Sequence, residues 1–157
     1  MSTTTTTIPL EFTVYGKPAQ QGSKSAFVRN GRAIMFEANA KAKAEWRQQV
    51  VAVAMHAMNG RSLIEGPVQL DIVFMFRRPK SHYGTGRNAS LLKDSAPKDH
   101  VHTPDLDKLV RNVGDGLTGT VLRDDSQVCV LIANRRWTET VECAVVRITE
   151  LTSTSVG

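Results

Sequence analysis

The chain has 157 residues, 41% hydrophobic and 22% charged, an ordinary composition for one globular domain. Its 20 Lys and Arg against 15 Asp and Glu give a net charge of +5, which mildly favours a polyanionic partner. This composition excludes an acidic disordered tail and a disulfide-dense miniprotein. No apolar run approaches the ~20 residues that cross a bilayer, so no membrane partner is expected.

The predicted layout is one domain with short ends. Residues 1–9 include five consecutive threonines and lack a signal-peptide pattern, so we predict a disordered lead and a cytoplasmic protein. Residues 10–150 form the domain, and residues 151–157 form a tail. Cys129 and Cys143 lie in apolar surroundings without CxxC spacing, which indicates two buried thiols in a reducing compartment.

The N-terminal elements begin with a strand at Leu10–Tyr15, where apolar and polar residues alternate. The segment GKPAQQGSK at residues 16–24 is rich in turn formers and amides. A hairpin is predicted over residues 26–36, because Asn30 and Gly31 readily adopt the positive φ angles of a tight turn.

The central elements are a helix, a strand and a long loop. Asn39 is positioned to cap a helix that ends near Met58. Residues 68–76 give the clearest strand, since every second residue is apolar. The polar stretch at residues 80–103 has no period, and loops of this length are usually functional or mobile. Counted from Arg77, this stretch has a balance of +4 and carries most of the excess charge of the chain.

The C-terminal elements begin with Pro104, which introduces a second helix over residues 105–117. Strands at residues 127–137 and 141–148 are predicted to form a C-terminal hairpin. The order of elements predicts an α+β fold, a single domain in which two helices pack on a mixed β-sheet.

The second helix concentrates acidic residues on one edge. At 100° per residue, its apolar stripe is buried and the opposite edge presents Asp107, Arg111 and Asp115, with Lys108 beside them. Asp105, at the N-terminus of this helix, can direct its carboxylate to the same side as that of Asp107. The structural alternative is an ordinary one, because first-turn aspartates cap helices and an Asp107–Arg111 pair contributes only about 0.3–0.5 kcal/mol.

A second acidic pair, Asp124 and Asp125, lies in the connector before the apolar strand. An Asp-Asp-Ser turn explains this pair equally well. Asp125 would approach Asp105 and Asp107 only if the strand order brings those ends together. Three converging carboxylates repel one another unless a hard divalent cation binds between them, and oxygen ligands favour Mg²⁺ or Mn²⁺. Beside a basic loop, such a site suits phosphodiester hydrolysis.

These motifs carry a family resemblance. The run HTPDLDKLVR at residues 102–111, followed by RDDSQV at residues 123–128, resembles the RusA family of Holliday junction resolvases, especially its phage-borne members. FTVYGKPAQQGSKSAFVRNG at residues 12–31 is also similar to the family. The resemblance covers residues 10–148 and implies a RusA-like fold. It further implies a homodimeric, Mg²⁺-dependent endodeoxyribonuclease that cleaves four-way DNA at symmetric positions, in a bacterial host or phage-infected cell.

The resemblance also implies roles for individual residues. The family's three essential acidic positions match Asp105, Asp107 and Asp125, which become catalytic residues and ligands of Mg²⁺, with Mn²⁺ as a substitute. Asp124 is a further candidate ligand. Arg111 stands where the family often has lysine; it keeps the positive charge, but its pKa above ~12 disfavours a role as general acid.

Several interpretations remain open at this stage. The candidate DNA contacts are basic residues near polar loops or the acidic helix: Lys24, Arg77, Arg78, Lys98 and Lys108. The main alternative to a nuclease is a branched-DNA-binding protein of the same fold with little or no cleavage activity. A glycosyltransferase that uses DxD is disfavoured, because the chain is short and lacks a nucleotide-binding α/β repeat. A zinc site at His100 and His102 is disfavoured, because no third ligand lies in phase.

Overall fold

The computed structural model describes residues 8–22, 24–37 and 39–152. Most of the predicted lead and of the predicted tail lies outside these ranges. The described chain forms the following helices and strands: β1 (Leu10–Tyr15), β2 (Lys24–Arg29), β3 (Arg32–Glu37), α1 (Ala40–Met58), β4 (Val68–Arg77), α2 (Leu106–Leu117), β5 (Val128–Thr138) and β6 (Cys143–Glu150). Short 3₁₀ turns occur at Lys80–His82, Gly86–Asn88 and Asp125–Gln127.

The main sheet has four strands in the order β1-β6-β4-β5, and β2 and β3 form a separate antiparallel pair. In the main sheet, β6 is antiparallel to both β1 and β4, whereas β5 is parallel to β4. The predicted single-domain α+β fold with a mixed sheet and two helices is confirmed. The predicted C-terminal hairpin is wrong, because β4 lies between β5 and β6.

Both helices pack on one face of this sheet. The alternation in β4 buries every second side chain, as the sequence pattern predicts, and these residues are Val68, Leu70, Ile72, Phe74 and Phe76. Against them, α1 contributes Trp46, Val50, Ala54 and Met58, and α2 contributes Leu109, Val113 and Leu117. One hydrophobic core therefore fixes α2 relative to the sheet.

The two helices approach each other closely at Gly116. A Cβ atom at this position would lie 3.1 Å from Cγ1 of Val50 on α1, closer than side chains normally pack. In an exposed helix interior, glycine lowers helix stability by about 1 kcal/mol relative to alanine. At position 116 the missing side chain permits the contact between α1 and α2.

The turns agree with the sequence except in one respect. Asn30 and Gly31 adopt φ angles of 52° and 72° between β2 and β3, so the predicted hairpin is confirmed. Asn59 ends α1 in the left-handed region. Asn39 precedes α1 but does not cap it through its side chain, because its backbone is left-handed at φ 63°. Its carbonyl oxygen instead accepts a hydrogen bond from Lys43 N at 2.9 Å.

Strand β5 lies at the edge of the sheet and is only partly covered. Val130, Leu131 and Ile132 are 39%, 50% and 51% exposed, although they belong to a continuous apolar run at residues 128–133. The prediction of two buried thiols is therefore half wrong. Cys143, on the inner strand β6, is buried, whereas Cys129, on the edge strand, is exposed.

An aromatic cluster fixes the long loop against the ends of β4 and β5. The His100 ring lies 4.4 Å from the ring of Trp137 and 4.8 Å from that of Phe76, measured between centroids. The His82 ring meets Trp137 edge-on at 5.1 Å, and Arg78 lies over the same indole at 5.4 Å. The loop is irregular, as predicted, but it is anchored before it reaches α2. Of the helices in the described ranges, none is both long and apolar enough to span a membrane.

Candidate active site

The start of α2 is held by two distant parts of the chain. The backbone N–H of Asp105 donates a hydrogen bond to Oε1 of Gln20 at 2.6 Å. From the edge strand β5, Nη1 of Arg135 donates to the carbonyl oxygens of His102, at 2.7 Å, and Pro104. The loop after β1 and the strand β5 thus fix the residues that carry the DLD motif.

The carboxylate of Asp105 is not used to cap the helix. Asp105 occupies the N-cap position with an extended backbone, but its side chain makes no capping hydrogen bond. Its Oδ2 lies 3.3 Å from Nζ of Lys108, and its side chain is 48% exposed. The carboxylate of Asp105 therefore faces solvent beside a cation, and its structural interactions are this ion pair and the helix dipole.

Asp107 and Arg111 form the predicted i, i+4 pair, with 3.7 Å between the carboxylate and the guanidinium. Their side chains are 71% and 62% exposed, so water and salt screen the attraction. The pair contributes little to stability, and both groups are accessible to a ligand.

Asp115, farther along the same edge, has a different environment. Its carboxylate accepts hydrogen bonds from Arg47 Nη2 at 3.1 Å and from Gln21 Nε2. Since α2 rises 1.5 Å per residue, Asp115 lies about 12 Å along the axis from Asp107. These contacts tie it to α1 and to the loop after β1.

Asn112 was not predicted as part of the site. It is fully buried on α2, where Nδ2 donates to Ala19 O at 2.9 Å and Oδ1 accepts from Arg47 Nε at 3.0 Å. Together with Gln20 and Gln21, it fastens the amide-rich loop to the acidic helix. The available signals were the amides in GKPAQQGSK and a polar residue close to the buried stripe of α2.

Asp124 and Asp125 open the 3₁₀ turn that precedes β5. Asp124 Oδ1 accepts from Ser126 N at 3.2 Å, and Gln127 Oε1 accepts from Asp124 N at 2.9 Å, which completes a capping box. The turn interpretation is therefore confirmed for Asp124. The carboxyl group of Asp125 contacts that of Asp124 and also the backbone N–H of Ser126.

This contact separates the pKa values of the two carboxyl groups. The hydrogen bond between them, followed by the bond from Ser126 N, holds the pKa of Asp124 below its usual value. The same hydrogen bond and the charge of Asp124 raise the pKa of Asp125, and the charge of Asp115 adds to the rise. Asp125 therefore keeps its proton to higher pH than an isolated aspartate and would gain most from a nearby cation.

The donor chemistry of these residues fits a hard divalent cation, because all of them are carboxylates that water reaches. The geometry fits less well. In residues 8–22, 24–37 and 39–152, no group of three or more His, Cys, Asp or Glu side chains lies close enough to hold a metal ion. The fold presents Asp105, Asp107 and Asp125 on the surface, but it does not gather them.

The basic candidates are spread over several elements of the chain. Arg77 is exposed at the end of β4, and Lys98 is exposed in the long loop. Arg78 Nη1 donates to Pro97 O at 2.8 Å, which brings it to the residue before Lys98 and engages it in anchoring the loop. Lys108 pairs with Asp105, and the side chain of Lys24 lies outside the described part of the molecule.

Comparison with known proteins gives two matches. The profile of the family described as "Endodeoxyribonuclease RusA" matches residues 16–149, a range that includes both acidic motifs and the loop that holds them. The chain is also similar to "Uncharacterized protein YqaN" of Bacillus subtilis (strain 168). The two are 32% identical over 133 residues, which cover 83% of this chain and 89% of that protein.

Proposed function

Because this chain belongs to the RusA family of endodeoxyribonucleases, we propose that it resolves Holliday junctions by paired, symmetric cleavage of four-way DNA during recombination and repair. The observation that carries this proposal is the pair Asp105 and Asp107: Asp105 is the N-cap residue of α2, makes no side-chain capping hydrogen bond and is 48% exposed, and Asp107, in the first turn, is 71% exposed. Since the substrate is intracellular DNA, we assign the activity to the cytoplasm of a bacterial host or phage-infected cell.

We assign the metal-binding role to Asp105, Asp107 and Asp125, with Asp124 as a candidate fourth ligand. Bound Mg²⁺, or Mn²⁺ in its place, would stabilise negative charge on the attacking and leaving oxygens of the phosphodiester. Asp125 is included because its exposed carboxyl group lies against that of Asp124, and two adjacent carboxylates are favourable when a cation binds to them.

Arg111 is proposed to act through its charge. Its guanidinium lies one turn beyond Asp107, within 3.7 Å of that carboxylate, and is mostly exposed. A guanidinium stays protonated throughout the physiological range, so Arg111 would neutralise a phosphate oxygen and would not supply a proton to the leaving group.

The DNA backbone is proposed to contact the candidate basic residues: Lys24, Arg77, Arg78, Lys98 and Lys108. Such contacts position the duplex arms without reading sequence, and they make affinity fall steeply as salt is raised. Arg78 also holds the loop beside Lys98 through its hydrogen bond to Pro97 O.

A homodimer is part of the proposal, because two equivalent strands of a symmetric junction require two sites related by a two-fold axis. The exposed apolar residues of β5 support this strand as the interface. An edge strand has unpaired backbone groups, and a two-fold axis beside it pairs two identical strands in the antiparallel manner.

The competing hypothesis is a branched-DNA-binding protein with little or no cleavage activity, and the observation that favours it is the dispersed arrangement of the carboxylates. The test is to incubate the purified protein with four-way, Y-shaped and linear duplex DNA, in Mg²⁺ and in EDTA. We expect EDTA-sensitive, paired nicks in the four-way substrate. Binding without nicking would favour the competing hypothesis, and equal nicking of linear duplex would exclude junction selectivity.

A further inference from the structure

A cleft of about 530 Å³ adjoins the start of α2. Its volume falls within the ~300–1,000 Å³ typical of small-molecule sites. One wall is the loop after β1, a second is the N-terminal part of α1, and the third is formed by Thr103 and Pro104, which directly precede Asp105. Anything bound here therefore lies next to the first residue of the DLD motif.

The lining of the cleft combines flat apolar surface with amide groups. The residues that matter for recognition are Tyr15, Gln20, Asn39 and Gln49. Side-chain amides offer both donors and acceptors, which match the polar edge of a nucleobase, and the exposed ring of Tyr15 offers a face on which a base can stack. The charged residues of the lining, Lys17 and Glu45, cancel each other, so the cleft has no excess charge that would select a phosphate.

Trp46 forms a buried part of the cleft wall: it is 3% exposed, and its indole N–H is out of reach of a molecule bound in the cleft. The connection between the cleft and the acidic site is Gln20. Gln20 already uses its amide oxygen to accept from Asp105 N, and this bond leaves the amide hydrogens of the same side chain as donors. One residue thus belongs to both the cleft and the acidic site.

We propose that this cleft binds an unstacked nucleobase of the branched DNA, next to the phosphate that is cleaved. The inference rests on the proposed function. A base costs least to remove from the stack where pairing is already interrupted, as at a branch point, so a site for such a base also favours branched over linear DNA. Gln20 then couples base binding to the position of Asp105.

The test is a thermodynamic cycle between the protein and the DNA, measured as junction affinity in EDTA so that cleavage plays no part. The substrates are a series of four-way junctions, each with a single abasic site at a different position around the branch. Ala42→Phe fills the cleft from an exposed position of α1, and Ala44→Phe, exposed two residues away and outside the cleft, is the matched control. Gln49→Leu with Gln48→Leu as its control provides a second pair that removes only polar groups.

We expect one abasic position to weaken binding of the unaltered protein, on the order of tenfold. Ala42→Phe should weaken binding to the intact junction similarly, and the abasic site should cost nothing further with this variant. Ala44→Phe should retain the full abasic effect. If the loss from the cleft variant and the loss from the abasic site add at every position, for both Ala42→Phe and Gln49→Leu, the inference is wrong. Loss of preference for four-way over linear duplex in the unaltered protein would instead overturn the proposed function.

Discussion

The side-chain amide of Asn112 donates a hydrogen bond to the carbonyl oxygen of Ala19 at 2.9 Å, across 93 positions of the chain. The same amide donates to Lys43 O at 3.3 Å, and its oxygen accepts from Arg47. One buried side chain therefore joins the loop after β1, helix α1 and the acidic helix α2. The orientation of the DLD motif depends on this junction of three elements.

The first prediction concerns that junction. Asn112→Ala removes the hydrogen bonds of this side chain to the carbonyl oxygen of Ala19 and to the guanidinium N–H of Arg47, and we expect a loss of about 1–3 kcal/mol in the free energy of unfolding. Urea denaturation followed by circular dichroism measures it. Asn88→Ala, in an exposed turn of the long loop, is the control and should change stability by less than about 0.5 kcal/mol. Equal stability of the two variants would show that the Asn112 contacts contribute nothing.

The second prediction concerns the carboxylates. Asp105→Asn, Asp107→Asn and Asp125→Asn should each abolish Mg²⁺-dependent cleavage of a four-way junction, because each removes an anionic oxygen ligand with little change in shape. Gel-shift affinity in EDTA should stay the same. Asp94→Asn, exposed in the long loop, should cleave normally. Any variant of the three that still cleaves at the normal rate removes that residue from the catalytic set.

The third prediction separates two roles of Arg111. If the guanidinium acts only through its charge, Arg111→Lys should retain most of the single-turnover cleavage rate. Arg111→Gln should lose about tenfold, a modest effect because the group is exposed and screened. A lysine variant as slow as the glutamine variant would mean that the planar guanidinium is itself required.

The fourth prediction concerns pH. Burial, with a smaller contribution from the Arg135 charge, holds the pKa of His100 below its usual value of 6.5. The unfolded chain therefore binds this proton at higher pH than the folded protein does. Stability is complete above about pH 6.5 and falls as the pH drops toward the lowered pKa. The free energy of unfolding, measured across this range, should show this loss in the unaltered protein.

His100→Phe keeps the ring between Phe76 and Trp137 but removes the titratable group, so stability should depend less on pH over the same range. His56→Phe, exposed near the end of α1, is the matched control and should leave the pH dependence unchanged. A His100→Phe protein with the original pH profile would assign the acid sensitivity to other groups.

The fifth prediction tests the dimer. Ile132→Lys places a charge on the exposed apolar part of β5 and should convert a dimer to a monomer in sedimentation velocity experiments. Val141→Lys is the control, since Val141 is 56% exposed but lies in the turn after β5. If Ile132→Lys remains dimeric, the interface lies elsewhere; a monomeric unaltered protein would exclude the dimer altogether.

Helix α2 and strand β5 show which features of the protein can be predicted from its sequence and which cannot. The wheel that separates Leu109 from Asp107 is local, so both the buried stripe and the acidic edge are predictable. Asn112 and Gly116 depend on partners on α1 and in the first loop, which no local pattern reveals. The error at β5 has the same origin: two strands with a short connection favour a hairpin, whereas the insertion of β4 between them is decided by pairings far apart in the chain.

The order β1-β6-β4-β5 has a consequence for synthesis of the protein. Leu10, in the first strand, pairs with Ile148, in the last, and Ile148 also pairs with Leu70 of β4. A ribosome therefore completes the acidic helix well before the strand that joins β1 to the rest of the sheet. Long-range pairings of this kind form late. A nascent chain that already contains the DLD motif still lacks β6, the strand that connects β1 to β4, so the acidic residues are synthesised before the sheet that positions them is complete.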